Sequence, residues 1–122
     1  MALATRIDSI FVPAIDSAAA AAWYKRMFGM NEIFESAGYV GLGFAEGAPG
    51  QAALTLYPAD SIDRDRHYAF NLYAPDAEAL HAALADEGVE ATAIDNRGPL
   101  KFFEFRDCSG NWVGVCHMGG GH

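Results

Sequence analysis

Apolar, β-forming stretches alternate with two segments of helical composition along the chain. Residues 6–14 are rich in β-formers and end at a proline, which predicts a strand. A helix is predicted next, because Asp16 or Ser17 can cap its start, strong helix formers follow, and Gly29 ends it. Turn residues at Gly38 and 46–51 then separate three further predicted strands. These strands cover residues 31–36, 39–44 and 52–57.

The same order of elements then repeats. A polar linker at 58–66 precedes a predicted strand at 67–74 and a predicted helix at 75–88. Three more strands are predicted at 89–94, 100–105 and 111–117. Each half is therefore strand–helix–strand–strand–strand. Because neither half can bury its sheet face and helix alone, we predict a single domain over 1–122, with modules of about 5–57 and 67–117.

Composition narrows the class of protein. The chain has 122 residues, of which 52% are hydrophobic and 20% charged, as is typical of a globular domain. Its formal net charge of −8 disfavours nucleic acid as a partner, and it is compatible with a cationic ligand or simply with solubility. No apolar run approaches the roughly 20 residues that cross a bilayer, and the N-terminus lacks the pattern of a secretory signal. We therefore expect a cytoplasmic protein without a membrane partner.

Three segments in the right order resemble the vicinal oxygen chelate superfamily, which includes glyoxalase I, extradiol dioxygenases, fosfomycin-resistance enzymes and bleomycin-resistance proteins. They are FVPAIDSAAAAAWYKRMFGM (11–30), HYAFNLYAPDAEALHAALADEGVEA (67–91) and FEFRDCSGNWVGV (103–115). The resemblance implies an α+β fold in which two βαβββ modules form a curved mixed sheet around a cavity, with the helices outside. It also implies a homodimer.

The resemblance allows a test for a metal site. Metal-dependent members of the superfamily place four ligands on the first and last strands of each module. The matching positions here are Ser9, Thr55 (Ala53 if the register slips by two), His67 and Gly114. Only His67 is a good ligand for a divalent ion, so we predict neither metal nor other cofactor. The alternative is a divalent metal held by His67 and non-standard ligands, with Cys116 on the same strand face as Gly114.

Strand alternation from these four positions predicts the side chains that line the cavity. They combine aromatic walls with a few hydroxyl, amide, thiol and imidazole groups, which is typical of ligand pockets, although aromatic residues can also simply fill an interior. The opposite face, which includes Ile10, Val12, Leu54, Leu56, Phe70, Leu72, Val113 and Val115, is expected to pack on the helices. The predicted ligand-binding residues are Ser9, Phe11, Thr55, Tyr57, His67, Asn71, Trp112 and Cys116.

These observations favour a metal-free protein that binds a small molecule in an aromatic cavity, similar to the bleomycin-resistance branch. The alternative from the same superfamily is a metal-dependent lyase or dioxygenase that uses His67. A cofactor-free isomerase or lyase with His67 as general base, a Cys116–His67 nucleophile, and a scaffold with a filled interior also remain open. His81 is expected to be solvated on the second helix, and His117 to lie on the strand face opposite Gly114.

Overall fold

The structure is a computed structural model, and it describes residues 3, 7–44, 50–63 and 68–118. The chain divides into two compact units, Met1–Ile62 (unit 1) and Asp63–His122 (unit 2). Each unit contains the order βαβββ, which confirms the predicted α+β class. The elements of unit 1 are β1 (Ser9–Ala14), α1 (Ser17–Phe28), β2 (Met30–Ser36), β3 (Tyr39–Phe44) and β4 (Ala53–Pro58). Those of unit 2 are β5 (Asn71–Tyr73), α2 (Ala77–Asp86), β6 (Asp95–Arg97), β7 (Leu100–Arg106) and β8 (Trp112–Met118).

Local capping signals set the ends of α1. The Asp16 side chain accepts a hydrogen bond from the Ala19 amide at 3.0 Å, satisfying a donor that the first turn leaves without a partner. Gly29 has a φ of 67°, in the left-handed region that glycine adopts without strain, and its amide donates to the Lys25 carbonyl. Asp76 caps α2 in the same way as Asp16 caps α1. Both predicted helix starts are confirmed.

The sheet of unit 1 has the strand order β1-β4-β3-β2, with β1 parallel to β4 and the other pairs antiparallel. Helix α1 contacts all four strands. It contributes Ala20, Ala21 and Tyr24 to the core, and these residues are buried. Along β1, β3 and β4, the buried residues at every second position face this core: Val12, Ala14, Val40, Leu42, Leu54 and Leu56. One face of the sheet is thus covered by the helix.

Unit 2 repeats this arrangement, with the order β5-β8-β7-β6 and β5 parallel to β8. Its buried core residues include Leu84 of α2. The matching strand residues alternate along β7 and β8: Phe103, Phe105, Val113 and Val115. Helix α2 contacts β8 on this side. Neither α1 nor α2, the helices of the described ranges, is long and apolar enough to cross a membrane.

Two predicted strands of unit 2 are wrong in extent. In place of a strand at 89–94, Ala91 forms an isolated bridge with Phe105, and the strand lies at Asp95–Arg97. The reason is that the Thr92 hydroxyl accepts the Glu104 amide hydrogen at 2.9 Å, in place of a backbone carbonyl of the ladder.

The predicted strand 67–74 is shorter in the structure. Ala69 donates to the Trp112 carbonyl, whereas the Gly114 amide donates to the neighbouring Phe70 carbonyl. In a regular parallel ladder the amide and the carbonyl of the same residue make these two bonds. Here they come from two neighbouring residues, so regular pairing begins only at Asn71. His67 lies outside the described residues.

A side-chain-bonded turn joins β7 to β8. Asp107 Oδ1 accepts the Ser109 and Asn111 amides at 2.9 and 2.8 Å, and Asp107 Oδ2 accepts Asn111 Nδ2 at 3.0 Å. Asp107 and Asn111 are buried, so these bonds replace the water that both would lose. The turn thereby holds β8 in register with β7, which places Gly114 opposite Glu104.

Candidate functional site

The face of the unit 1 sheet opposite α1, here called the unit 1 open face, has small residues between two aromatic rings. The strand register aligns one residue from each strand in a row across this face: Phe11, Thr55, Gly41 and Phe34. Phe11 and Phe34, at the two ends, are 60% and 43% exposed. The rings of Tyr39 and Tyr57, on the neighbouring strands β3 and β4, stack with their centroids 6.2 Å apart.

A hydroxyl pair lies at the centre of this face. Thr55 Oγ1 lies 2.5 Å from Ser9 Oγ, and Ser9 Oγ donates to the Ala53 carbonyl at 3.2 Å. Since each hydroxyl has one proton, both contacts are satisfied when Thr55 donates to Ser9 and Ser9 donates to Ala53. Thr55 is only 1% exposed, so the half-buried Ser9 Oγ is the atom that offers a lone pair to a ligand, and it has no free proton. It therefore suits a ligand that presents an N–H or O–H group.

Gly41 allows an aromatic ring to lie directly on the sheet backbone. A Cβ at position 41 would be 2.2 Å from Cε1 of Phe34, a distance at which no side chain fits. The irregular register between Glu32 and Phe34 occurs on the same edge strand. Our sequence prediction missed Phe34, Tyr39 and Gly41. The glycine at 41 within an apolar strand is the signal that could have revealed this close approach.

The corresponding face of unit 2, opposite α2, is here called the unit 2 open face. Because Phe103, Phe105, Val113 and Val115 are buried on the helix side, the alternate residues of β7 and β8 point to the open face. A row across this face joins Asn71, Gly114 and Glu104. The rows beside it add further open-face residues, among them Tyr73, Cys116, Phe102, Trp112 and Arg106.

The space beside Gly114 is occupied by another side chain. A Cβ at position 114 would lie 2.6 Å from Asn71 Oδ1 and 3.3 Å from ring atoms of Phe102 and Tyr68. Asn71 Nδ2 donates to Cys116 Sγ at 3.1 Å, which holds the carboxamide in this position. A glycine at 114 is therefore what allows the Asn71 side chain to lie across the strand.

The described residues do not supply the ligand set of a metal-dependent relative. The hydroxyls of Ser9 and Thr55 bond to each other, and Gly114 has no side chain and no room for one while Asn71 is in place. Among the described residues, no three His, Cys, Asp or Glu side chains come together as a metal site.

The repeat adds a further mismatch. Ser9 stands seven residues before the capping Asp16, and Ala69 stands seven before the capping Asp76. The strand pairings give the same correspondence. Phe11, two residues after Ser9, pairs with Thr55, and Asn71, two residues after Ala69, pairs with Gly114. Ala69 is thus the structural counterpart of Ser9, and His67 precedes it by two positions in the sequence.

The structure thus brings the predicted residues together in two groups. On the unit 1 open face lie Ser9, Phe11, Thr55 and Tyr57; on the unit 2 open face lie Asn71, Trp112 and Cys116. His67 lies outside the described residues. The role of these residues as ligand contacts remains a prediction. Glu104, Phe102 and Arg106 were not predicted from the sequence, because strand alternation was followed only along the first and last strands of each module.

Of the two histidines within the described residues, one differs from its prediction. His81 is half-buried, with Nε2 2.9 Å from the Thr92 carbonyl oxygen and its ring edge-on to Phe103, so the prediction that it is solvated is wrong. The apolar stripe of α2 therefore extends to His81. His117 pairs with Lys101 on the helix side of β8, opposite Gly114 as predicted, and its Nδ1 lies 3.0 Å from the Ala74 carbonyl oxygen.

Charged groups of unit 2 are mostly engaged. The Arg106 guanidinium lies 4.1 Å from the centre of the Trp112 ring, with Nη1 donating to the Gly110 carbonyl and Nε 3.5 Å from Glu90 Oε1. On the helix side, Lys101 Nζ donates to Glu78 Oε2 at 2.5 Å, and this bond lowers the pKa of the Glu78 carboxyl.

Solved structures with the same fold include several resistance and binding proteins. An antibiotic binding protein, TnmS3 from Streptomyces sp. CB03234, is 18% identical over 94% of this chain and 97% of its own, with a TM-score of 0.74. The bleomycin resistance determinant encoded on the transposon Tn5 is 17% identical over 94% and 99%, with a TM-score of 0.71. The fosfomycin resistance protein FosX from Listeria monocytogenes, complexed with Mn(II) and sulfate, is 16% identical over 96% and 92%, with a TM-score of 0.76. At these identities the likeness shows the fold.

Curated protein sequences include no match to this chain. A family model does match, and it extends over residues 6–115, through both units. Its description is that of glyoxalases, bleomycin resistance proteins and dioxygenases. The chain belongs to the glyoxalase/bleomycin resistance protein/dioxygenase superfamily.

Proposed function

We propose that this protein binds a small aromatic molecule directly, without a metal. The observation that supports this most is the unit 1 open face, where a hydrogen-bond-accepting hydroxyl pair lies between exposed rings. Phe11 and Phe34 provide apolar surface, and the Ser9 hydroxyl, bonded to the buried Thr55, provides a polar anchor. Such a mixture of aromatic surface and few polar groups is what organic ligands require.

The residue types at the family's metal positions also support binding over metal chemistry. The hydroxyls of Ser9 and Thr55 bond to each other, and Gly114 has no side chain. These three positions therefore offer no strong ligand to a divalent ion. Two structural neighbours, an antibiotic binding protein and a bleomycin resistance determinant, also support a ligand-binding role. The homodimer and the cytoplasmic location remain proposals, of which the first is checked by light scattering of the purified protein.

A thermal-shift screen of small aromatic compounds with N–H or O–H groups tests the proposal. We expect ligands that raise the melting temperature and bind Phe11→Ala about five- to thirty-fold more weakly, because an aromatic contact with its buried area contributes about 1–2 kcal/mol. Ile15→Ala is the matched control, since Ile15 is a similarly exposed apolar residue just beyond β1. Equal losses in both variants, or no ligand at all, would contradict the proposal.

Ser9→Ala tests the polar anchor. It removes the accessible hydroxyl with little change in shape, and we expect it to weaken ligands with an N–H or O–H group while leaving their O-methylated or N-methylated analogues unaffected. The metal-dependent alternative has its own outcome in the same assay. A stabilisation by stoichiometric divalent metal that His67→Ala abolishes would favour a lyase or dioxygenase.

A further inference from the structure

We infer that Glu104 and Asn71 form a binding site for a cationic group, such as an amidinium or ammonium, on the unit 2 open face. The inference deepens the proposed function, on which it rests, by naming the charge of the ligand. The sequence-derived site contained Asn71 but not Glu104. The prediction was made by alternation along the strand that carries Gly114. It left out Glu104, which lies directly opposite Gly114 on β7.

The strand register places two oxygen acceptors on either side of Gly114. Glu104 pairs with Gly114 on one side and Asn71 pairs with it on the other. Phe103 and Phe105 are buried towards the helix side, so the Glu104 side chain points to the open face. Because Asn71 Nδ2 is committed to Cys116 Sγ, Asn71 presents its Oδ1 over Gly114. A donor-rich cation above Gly114 can therefore bond to both residues.

Within the described part of the chain, no neighbour compensates the charge of Glu104. Among the described residues its carboxylate has no hydrogen-bond or ion-pair partner, although it is half-buried. Arg106, two residues along the same strand, is engaged by Glu90, the Gly110 carbonyl and the Trp112 ring. A partly desolvated carboxylate is stabilised by a counter-charge, and a bound cation would supply it.

The surroundings favour an organic cation over a metal ion. The rings of Tyr68 and Phe102 lie 5.9 Å apart beside Gly114, and ring faces attract organic cations. Calcium takes six to eight oxygen ligands, whereas the described residues here offer a carboxylate and an amide. The Glu104 backbone is also held in place, since its amide and carbonyl both bond to Thr92. The site therefore needs little ordering when a ligand binds.

Three probes of one shape and different charge test this inference: benzamidine, benzamide and benzoate. We expect benzamidine to bind saturably in an amide-resolved NMR titration, with shifts at Asn71, Glu104 and Gly114. We also expect benzamide to bind about tenfold more weakly, and benzoate more weakly still. Glu104→Gln should weaken benzamidine about tenfold and leave benzamide unchanged. Asp86→Asn, on the exposed surface of α2, makes the same change in net charge and should change neither.

Several results would overturn the inference. They are equal affinity for benzamidine and benzamide, the same loss in Glu104→Gln as in Asp86→Asn, or no saturable binding of benzamidine. Displacement of benzamidine by millimolar Ca²⁺, with Ca²⁺ shifting the same three amides, would assign the site to a metal ion instead. A screen that yields neutral ligands sensitive to Phe11→Ala would leave the proposed function intact in each of these cases.

Discussion

Replacing Gly114 with alanine tests how the unit 2 open face is built. The new Cβ would lie 2.6 Å from Asn71 Oδ1, and 3.3 Å from atoms of the Phe102 and Tyr68 rings. The Asn71 oxygen is the end of an exposed side chain, so it can rotate away. That rotation would break the hydrogen bond from Asn71 Nδ2 to Cys116 Sγ.

The expected magnitudes follow from these contacts. A hydrogen bond of this kind contributes about 0.5–1.5 kcal/mol, and alanine is favoured over glycine within a strand by about 0.5–1 kcal/mol. The two terms nearly cancel, so Gly114→Ala should change the free energy of unfolding by less than about 1 kcal/mol. In an Asn71→Ala background the hydrogen bond is already absent, so Gly114→Ala keeps its gain and loses only what a small displacement of the Phe102 and Tyr68 rings costs. The coupling between the two positions is therefore about 1 kcal/mol.

Urea unfolding of the four proteins, followed by far-ultraviolet circular dichroism, measures this coupling, provided that the denaturant slope is constant across the set. A second cycle that pairs Gly114→Ala with Asn96→Ala is the control, because Asn96 is on β6 and that strand is not a neighbour of β8. Additivity of Gly114→Ala and Asn71→Ala within about 0.3–0.5 kcal/mol would show that Asn71 does not occupy this space.

Three further predictions concern other parts of the two units. Gly41→Ala should lower the free energy of unfolding by about 1–2 kcal/mol in urea, because the ring of Phe34 must leave the sheet, and much of this loss should vanish in a Phe34→Ala background. Since Lys101 lowers the pKa of Glu78, that carboxylate contributes stability above its unfolded-state pKa and loses it as the pH falls through its folded-state pKa. Glu78→Gln should therefore lower the melting temperature at pH 7 by a small amount that disappears in acid, and a difference that grows in acid would contradict this. Asp107→Ala removes three hydrogen bonds from a buried turn and should cost about 2–4 kcal/mol in urea unfolding; a loss below 1 kcal/mol would refute that role.

Local signals explain why much of the fold could be predicted from the sequence. Asp16 and Gly29 bound α1 through bonds to residues three or four positions away, and such short-range patterns are visible in the letters of the sequence. The Asp107 turn is equally local. The repeat of the order βαβββ follows from these signals, since each module repeats the same sequence of caps, strands and turns.

The parts that differed depend on contacts between distant residues. The Thr92 hydroxyl accepts a hydrogen bond from the amide of Glu104, twelve residues away. For this reason the strand predicted at 89–94 is not formed there. The Asn71 side chain meets Gly114 across two paired strands, a relation that only the register reveals. Glu104 was missed because alternation was followed only along the first and last strands of each module, and β7 is neither.

The central claim is that the unit 1 open face binds an organic ligand without a metal. The most direct measurement is the thermal-shift screen on chelator-treated protein, repeated after addition of one equivalent of Mn²⁺, Ni²⁺, Fe²⁺ or Zn²⁺. We predict ligands that stabilise the chelator-treated protein to the same extent as the metal-supplemented protein. Stabilisation by ligand only after metal is added, and lost in His67→Ala, would contradict it.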